Sequence, residues 1–569
     1  MRALRSLLLP LLCLPATTGA QTPAWVHAER EIGPLPGVTT NGLGGERWGT
    51  AMAKLGDVDG DGIADLAVGA PGTQIQFTTP KVWTLLLDAS GGVKSVANVF
   101  TGSLGDYTGS SLEALGDFDG DGVPDLVEGS SFGSVRIHLL QSDGTAHTTL
   151  PLDPPPRPAG TSTVSWGSSI ASLGDLDGDG TVDLAIGAPR DFTTVQVAQC
   201  TFGGPPAIGS VWITFLNPDG SVKDTAVIDA TTPALAGELE TFDWFGIALE
   251  GLGDRDGDGT VELAVGASGD DDGGEDRGAL WILSLDSTGG VQRTQKISST
   301  RGGFLGPLED GDSLSGVCGG GYFGSLADVG DLDGDGIGDL AVGAPGDDEG
   351  GADLGAVWLL FLHPDGSVRG YQKIGATDGG LTIPLTIFNG AGIRFGHEVL
   401  NMGDLDGDGL PELLVGAAFG PSSFVPNGVV PFGAIYALSL GPGPLASVAF
   451  RNAGTNPDSY ASGLVRIGET WTSTIDVAMS GHQDALLFGF EAPGELALGG
   501  GQTLLAIDTG SGAQLNSGFH PGPIATIHIP IPNVTSLLGL RLSTQALHAG
   551  GTTPFALSNA QDILVGLGD

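Results

Sequence analysis

Asp57, Asp59, Asp61 and Asp65 put four carboxylates at positions one, three, five and nine of a short glycine-rich loop. The spacing returns at Asp117, Asp119, Asp121 and Asp125, and again at Asp175, Asp177, Asp179 and Asp183. It recurs at Asp254, Asp256, Asp258 and Glu262, at Asp331, Asp333, Asp335 and Asp339, and at Asp404, Asp406, Asp408 and Glu412. Carboxylates this close repel unless a cation or protons intervene. Position seven adds a backbone carbonyl, from Ile63, Val123, Thr181, Thr260, Ile337 or Leu410. Glycines at positions four and six allow backbone angles closed to other residues, so the loop can wrap an ion. An all-oxygen donor set in a flexible loop suits Ca²⁺, which takes six to eight ligands. Up to six calcium ions are expected. Mg²⁺ demands stricter octahedral geometry and comes second. Zinc is set aside because no His or Cys joins the motif. Solvated Asp-Gly turns would explain one or two copies, not six. Glu262 and Glu412 carry a longer side chain, which changes the geometry of those two loops. An EF-hand would want Glu at position twelve, where Val68 stands.

The elements around each loop repeat with it, at intervals of 58 to 79 residues. Upstream lies an aromatic-glycine step, as in Trp48-Gly49, Trp166-Gly167, Phe245-Gly246, Phe323-Gly324 and Phe395-Gly396; copy two has Thr108-Gly109. Downstream lie β-branched and aromatic runs such as GSVWITFL at 209–216. A turn and a short run such as YQKIG at 371–375 follow. Runs of this length bounded by Gly, Pro, Asn and Asp are strand signals. No long window has helical periodicity. Four strands per unit, repeated at this period, predict an all-β fold led by a β-propeller. AEREIG at 28–33 resembles YQKIG, so the N-terminus is expected to complete the last blade and remove a sheet edge. That gives six blades, with seven as the alternative. The longer intervals read as insertions at 190–208 and 299–318.

The aromatic-glycine step, the acidic loop and the Gly-Ala-Pro after it (Gly69-Ala70-Pro71, Gly187-Ala188-Pro189, Gly343-Ala344-Pro345) resemble FG-GAP repeats. Such repeats build the propeller of integrin α subunits and of many bacterial secreted proteins. The resemblance covers roughly residues 21–440. It implies calcium in the hairpin between the first two strands of a blade, and ligands on loops of the other face. A metal loop in every unit and six blades rather than seven depart from the integrin pattern, and no integrin stalk is recognisable. Cell adhesion is implied by the resemblance alone.

Composition bounds the rest. The 569 residues carry 22 Lys plus Arg against 67 Asp plus Glu, a formal charge of −45. Such acidity argues against nucleic acid, whose phosphates it would repel, and against anionic membrane surfaces. Residues 1–20 combine Arg2 and Arg5, an apolar core and a small-residue end, the pattern of a secretory signal. No later stretch is long and apolar enough for a membrane-spanning helix. A secreted, extracellular or cell-surface location follows as the expectation. Cys200 and Cys318 do not make a disulfide framework, and the sequence does not say whether they pair.

Two further acidic runs, Asp270-Asp271-Asp272 and Asp347-Asp348-Glu349, read as solvated hairpin tips, with a further cation as the other reading. The repeat stops near residue 440. Residues 441–569 hold about seven strand-like runs and predict a small β-sandwich-like domain. Gly311-Asp312-Ser313-Leu314 spells a hydrolase motif without its downstream Asp-x-x-His. No Gly-x-Ser-x-Gly elbow and no His-Glu-x-x-His is expected. The expected function is therefore non-enzymatic: a calcium-binding propeller that recognises an extracellular protein or glycan. The alternative is a hydrolase or lyase working at the propeller centre, which a channel lined by convergent His, Arg, Glu or Tyr would favour. A third reading, a structural role in a surface layer, needs only self-association. The oligomeric state is not legible.

Overall fold

The structure, a computed structural model, describes residues 24–32, 47–72, 78–155, 165–191, 207–304, 325–376, 392–417 without 408, and 433–442. It also describes isolated positions between them and the backbone of strands in the C-terminal region. The N-terminal signal segment, Cys200, Cys318, the 311–314 motif and Asp408 lie outside the described residues.

Six four-stranded sheets form the blades. Blade one comprises Ala51–Gly56, Asp65–Ala70, Lys81–Leu87 and Val93–Thr101, in chain order across the sheet. Blades two to five repeat that order from Thr108–Gly116, Ser169–Gly174, Leu249–Gly253 and Leu326–Gly330. Blade six takes Phe395–Gly403, Glu412–Ala417 and Ala434–Pro442 from the end of the array. Its fourth strand is Ala24–Ile32, from the start. The N-terminal strand thus closes the ring, and six blades replace the six-or-seven choice. Among the described residues the only helical element is a 3₁₀ turn at Pro233–Leu235.

Six apolar clusters hold the ring, one at each junction between neighbouring blades. The junction of blades six and one packs Trp48, Met52 and Val68 against Leu414, Ile435 and Ala437. The repeated aromatics serve these junctions: Trp48, Trp166, Phe245 and Phe395 are all buried. The glycines of the motif have a steric reason. A Cβ on Gly69 would overlap the carbonyl oxygen of Gly109 in the next blade. The same overlap joins Gly129 to Gly167, Gly187 to Gly246 and Gly343 to Gly396. The backbone of one blade therefore lies directly on that of the next, which only glycine permits.

A register shift interrupts the first strand of every blade just before the acidic loop, between Lys54 and Gly56 in blade one and between Asn401 and Gly403 in blade six. Such bulges re-aim the chain at the end of a ladder. Here they aim it into the acidic loop.

Contacts divide the chain into Ala24–Gly441 and a second unit containing Pro442–Asp569. The second unit is also built of strands. One sheet runs through Ser447–Arg451, Phe555–Gly566, Arg541–Ala549, Asp484–Phe490 and Gly512–Phe519. A three-stranded sheet and a hairpin accompany it.

Candidate metal centre

Each acidic loop is the hairpin between the first and second strands of its blade. The position-one carboxylate organises the turn. Asp57 accepts from the amides of Gly60 at 2.7 Å, Asp61 at 2.9 Å and Gly62 at 2.8 Å. The position-six amide makes the equivalent bond to Asp117, Asp175, Asp254, Asp331 and Asp404. Gly60 and Gly62 carry φ of 79° and 89°, the left-handed region that favours glycine. Position five caps position seven: the amides of Ile63, Val123, Thr181, Thr260 and Ile337 donate to Asp61, Asp121, Asp179, Asp258 and Asp335.

Position nine does different work. Asp65, Asp125, Asp183, Glu262, Asp339 and Glu412 are all buried, at or beside the start of the second strand. Asp65 accepts from Val58 N at 2.9 Å and from Leu87 N of the third strand at 2.8 Å. Asp125, Asp183 and Asp339 join the same two places in their blades. Glu262 and Glu412 keep the loop bond, to Arg255 N and Leu405 N. Burial pushes the Asp125 carboxyl up to about 6 and the Asp339 carboxyl up to about 7; the neighbouring Asp119 and Asp333 charges add to this. Asp65 and Asp183 shift upward for the same first reason.

The donor set fits a hard divalent cation. Carboxylate oxygens of Asp57, Asp59 and Asp61 lie within 4.8 Å of one another, as do those of Asp117, Asp119 and Asp125. Asp175, Asp177 and Asp183 form the same group, as do Asp254, Asp256 and Glu262. The Asp59 Oδ1 atom is buried without a hydrogen-bond partner, so it retains an acceptor for an ion. One premise of the sequence reading needs correction. A histidine does join an acidic loop: His147, on the fourth strand of blade two, groups with Asp119 and Asp121. Its Nε2 lies 3.5 Å from Asp119.

His147 belongs to a series that the sequence reading missed. Lys94 on the fourth strand of blade one pairs with Asp59 at 2.6 Å and also with Asp61. Lys223 pairs with Asp177 and Asp179 at 2.6 and 2.5 Å. Arg293 reaches Asp258 at 2.6 Å, and Arg369 pairs with Asp333 and, at 3.0 Å, Asp335. These contacts hold the Lys94 and Lys223 ammonium groups well above the usual lysine range.

With strand order and loop geometry defined, comparison with known proteins identifies the repeat. The FG-GAP-like repeat family matches residues 117–186, and the FG-GAP repeat family matches 48–77, 166–213, 323–360 and 398–438. The chain carries FG-GAP repeats, and its six sheets form a β-propeller. Integrin alpha-PS2 of Drosophila melanogaster is 29% identical over 229 residues, covering 38% of this chain and 15% of that protein. Integrin alpha-5 of Xenopus laevis is 31% identical over 226 residues, covering 38% and 19%. Phosphatidylinositol-glycan-specific phospholipase D of Rattus norvegicus is 28% identical over 420 residues, covering 65% and 43%. The FG-GAP chain thus spans less than half the length of each of these relatives.

The second pair of acidic runs in the FG-GAP propeller is solvated only in part: Asp271, Asp348 and Glu349 are exposed, whereas the first acid of each run is not, which corrects the sequence reading at those two positions. Asp270 and Asp347 are 3% and 1% exposed. Lys296 bridges Asp270 and Asp272 at 2.7 and 2.9 Å, and Lys373 contacts Asp347 at 2.7 Å and Glu349 at 2.6 Å. The two lysines lie over Trp281 and Trp358. The cation that these runs hold is the protein's own.

The centre of the FG-GAP ring carries titratable carboxyls as well. Glu113, Glu250 and Glu398 come from the first strands of blades two, four and six. Glu250 accepts from Asp328 N of blade five at 3.0 Å. Burial pushes Glu113 up to about 8, and pushes Glu250 and Glu398 well above the carboxylate range; the Glu113 charge adds to both. Sequence reasoning missed this set because it alternates between blades instead of recurring in each. The Gly-x-Ser-x-Gly spacing does occur, at Gly129 to Gly133. It spans the hairpin between Ser130 and Ser134 in blade two, so Ser131 sits in a β-turn and not at a strand-to-helix elbow.

Proposed function

We propose that this is a secreted or cell-surface, calcium-stabilised binding propeller whose partner is an extracellular protein or glycan. The observation that carries the reading is the repeated acidic hairpin, fixed by the same backbone bonds in blade after blade. Calcium would be held by the carboxylates at positions one, three, five and nine and the carbonyl at seven, from Asp57 to Asp65 in the first loop. It would offset carboxylate repulsion and pin the first two strands together. That work is structural, and it leaves the remaining loops of a stiff ring for recognition. The integrin likeness supports a binding role. The experiment is capture of the purified propeller on glycan and extracellular-matrix protein arrays, in calcium and in chelator. Saturable, calcium-dependent capture by a restricted set supports the reading, and absence of capture in both conditions contradicts it.

A second reading is favoured by one observation, the convergence of Glu113, Glu250 and Glu398. A carboxyl held protonated near neutral pH can act as a general acid, and the phospholipase D likeness extends over more of the chain than the integrin matches. Hydrolysis of glycan or phosphodiester substrates that disappears in Glu113→Gln would support this alternative.

A further inference from the structure

Given the calcium reading above, we propose that Lys94, Lys223, Arg293 and Arg369 are tethered cations that occupy the acidic loops in the absence of metal and that an incoming divalent ion must displace. Two independent observations meet here. The first is geometric. In blades one, three, four and five, one basic side chain from the fourth strand contacts two or three carboxylates of its own loop. The second is in the sequence. The basic residue follows a valine at the start of that strand in Val93-Lys94, Val222-Lys223 and Val368-Arg369, and stands one place later in Val291-Gln292-Arg293. Blade two has Ala146-His147 at the same place, and the strand that completes blade six has Val26-His27. The whole chain has only 22 Lys and Arg, so four in this one role are a large share.

The physics gives the tether two opposite effects. Without calcium it neutralises part of the loop and keeps the hairpin from being forced open by like charges. With calcium it is a competitor, since a positive charge beside the site repels a divalent ion. A unit charge about 5 Å from a divalent ion in a water-like dielectric changes its affinity by about tenfold. The loops are thereby set to fill only at high calcium, while the propeller keeps its fold when calcium falls.

The test compares the full chain with the variant K94M/K223M/R293M/R369M and with the charge-preserving K94R/K223R/R293K/R369K. Calcium chloride is titrated by calorimetry, and melting is followed in chelator. The inference expects the methionine variant to bind calcium about tenfold more tightly at the altered sites, and to melt lower in chelator. The charge-preserving variant must return both readouts to wild type, which also controls for a general folding defect. Tighter binding with lower metal-free stability supports the inference, even if the variant folds only in calcium. A wild type that binds calcium and a methionine variant that matches it in both readouts overturn this inference alone. No calcium uptake by either protein overturns the calcium reading itself.

Discussion

A Cβ on Gly416 in the sixth blade would overlap the carbonyl oxygen of Gly49 in the first. This contact repeats the one between Gly69 and Gly109, but it joins the two ends of the array and so closes the ring. Gly416→Ala must push those backbones apart, and overpacking of this kind costs about 1–3 kcal/mol. Denaturant unfolding should show that loss. The alanine should cost less at Gly178, where an added Cβ meets nothing, although its φ of 78° still imposes strain. Equal losses at the two positions would show that the blade contact has no special weight.

The strand Ala24–Ile32 is the second closing device. Removing residues 21–33 leaves the strand Ala434–Pro442 as an open edge, and open edges pair with other chains. The shortened protein is expected to self-associate on size-exclusion chromatography and to lose a single cooperative melt. A monomeric product that melts as the full chain does would contradict the closure.

Position nine should behave as part of the core even without metal. Asp65→Ala strands the amides of Val58 and Leu87, each a buried donor worth about 1–3 kcal/mol when left unsatisfied. Asp65→Asn keeps an acceptor oxygen and should lose less. Urea unfolding in chelator separates the two variants. An alanine variant as stable as the asparagine variant would mean that those amides find other partners.

The central glutamates give a pH dependence of known sign. Burial raises the Glu113 carboxyl from 4.5 to about 8, so the folded state retains a proton that the unfolded chain releases. Stability is unaffected below the unfolded value, falls as pH rises between the two, and stays at the lower level above about 8. Glu250 and Glu398 shift in the same direction and add to the fall. Melting of Glu113→Gln should be flatter over this range and higher than wild type at alkaline pH. An unchanged profile would show that Glu113 ionises freely in the ring.

Much of this was legible from residue spacing because the repeat is written locally. The acids from Asp57 to Asp65 act on one hairpin, and Trp48-Gly49 and Gly69-Ala70 form a blade junction wherever they occur. The closing strand was legible because 28–33 resembles 371–375. What escaped was long-range. Lys94 meets Asp61 only because two further strands fold back across the sheet, and nothing near either residue announces the pair. The turn-Val-Lys pattern at 91–94 and 220–223 was the available signal. Asp270 and Asp347 were misread because Lys296 and Lys373, which bury them, lie at the far end of the fourth strand. The central glutamates skip alternate blades, so comparison of repeats hides them.

Calorimetric melting with and without calcium tests the central claim most directly, with Mg²⁺ as the control. An ion bound only by the folded state adds about 2.7 kcal/mol per site at a hundred times its dissociation constant. Six filled loops on a ring of this size correspond to a rise of roughly 10–20 °C. A rise of that order in calcium, with little in magnesium, is the predicted result. Identical melting in calcium, magnesium and chelator, with bound calcium shown to be absent by atomic absorption, would contradict a calcium-stabilised propeller.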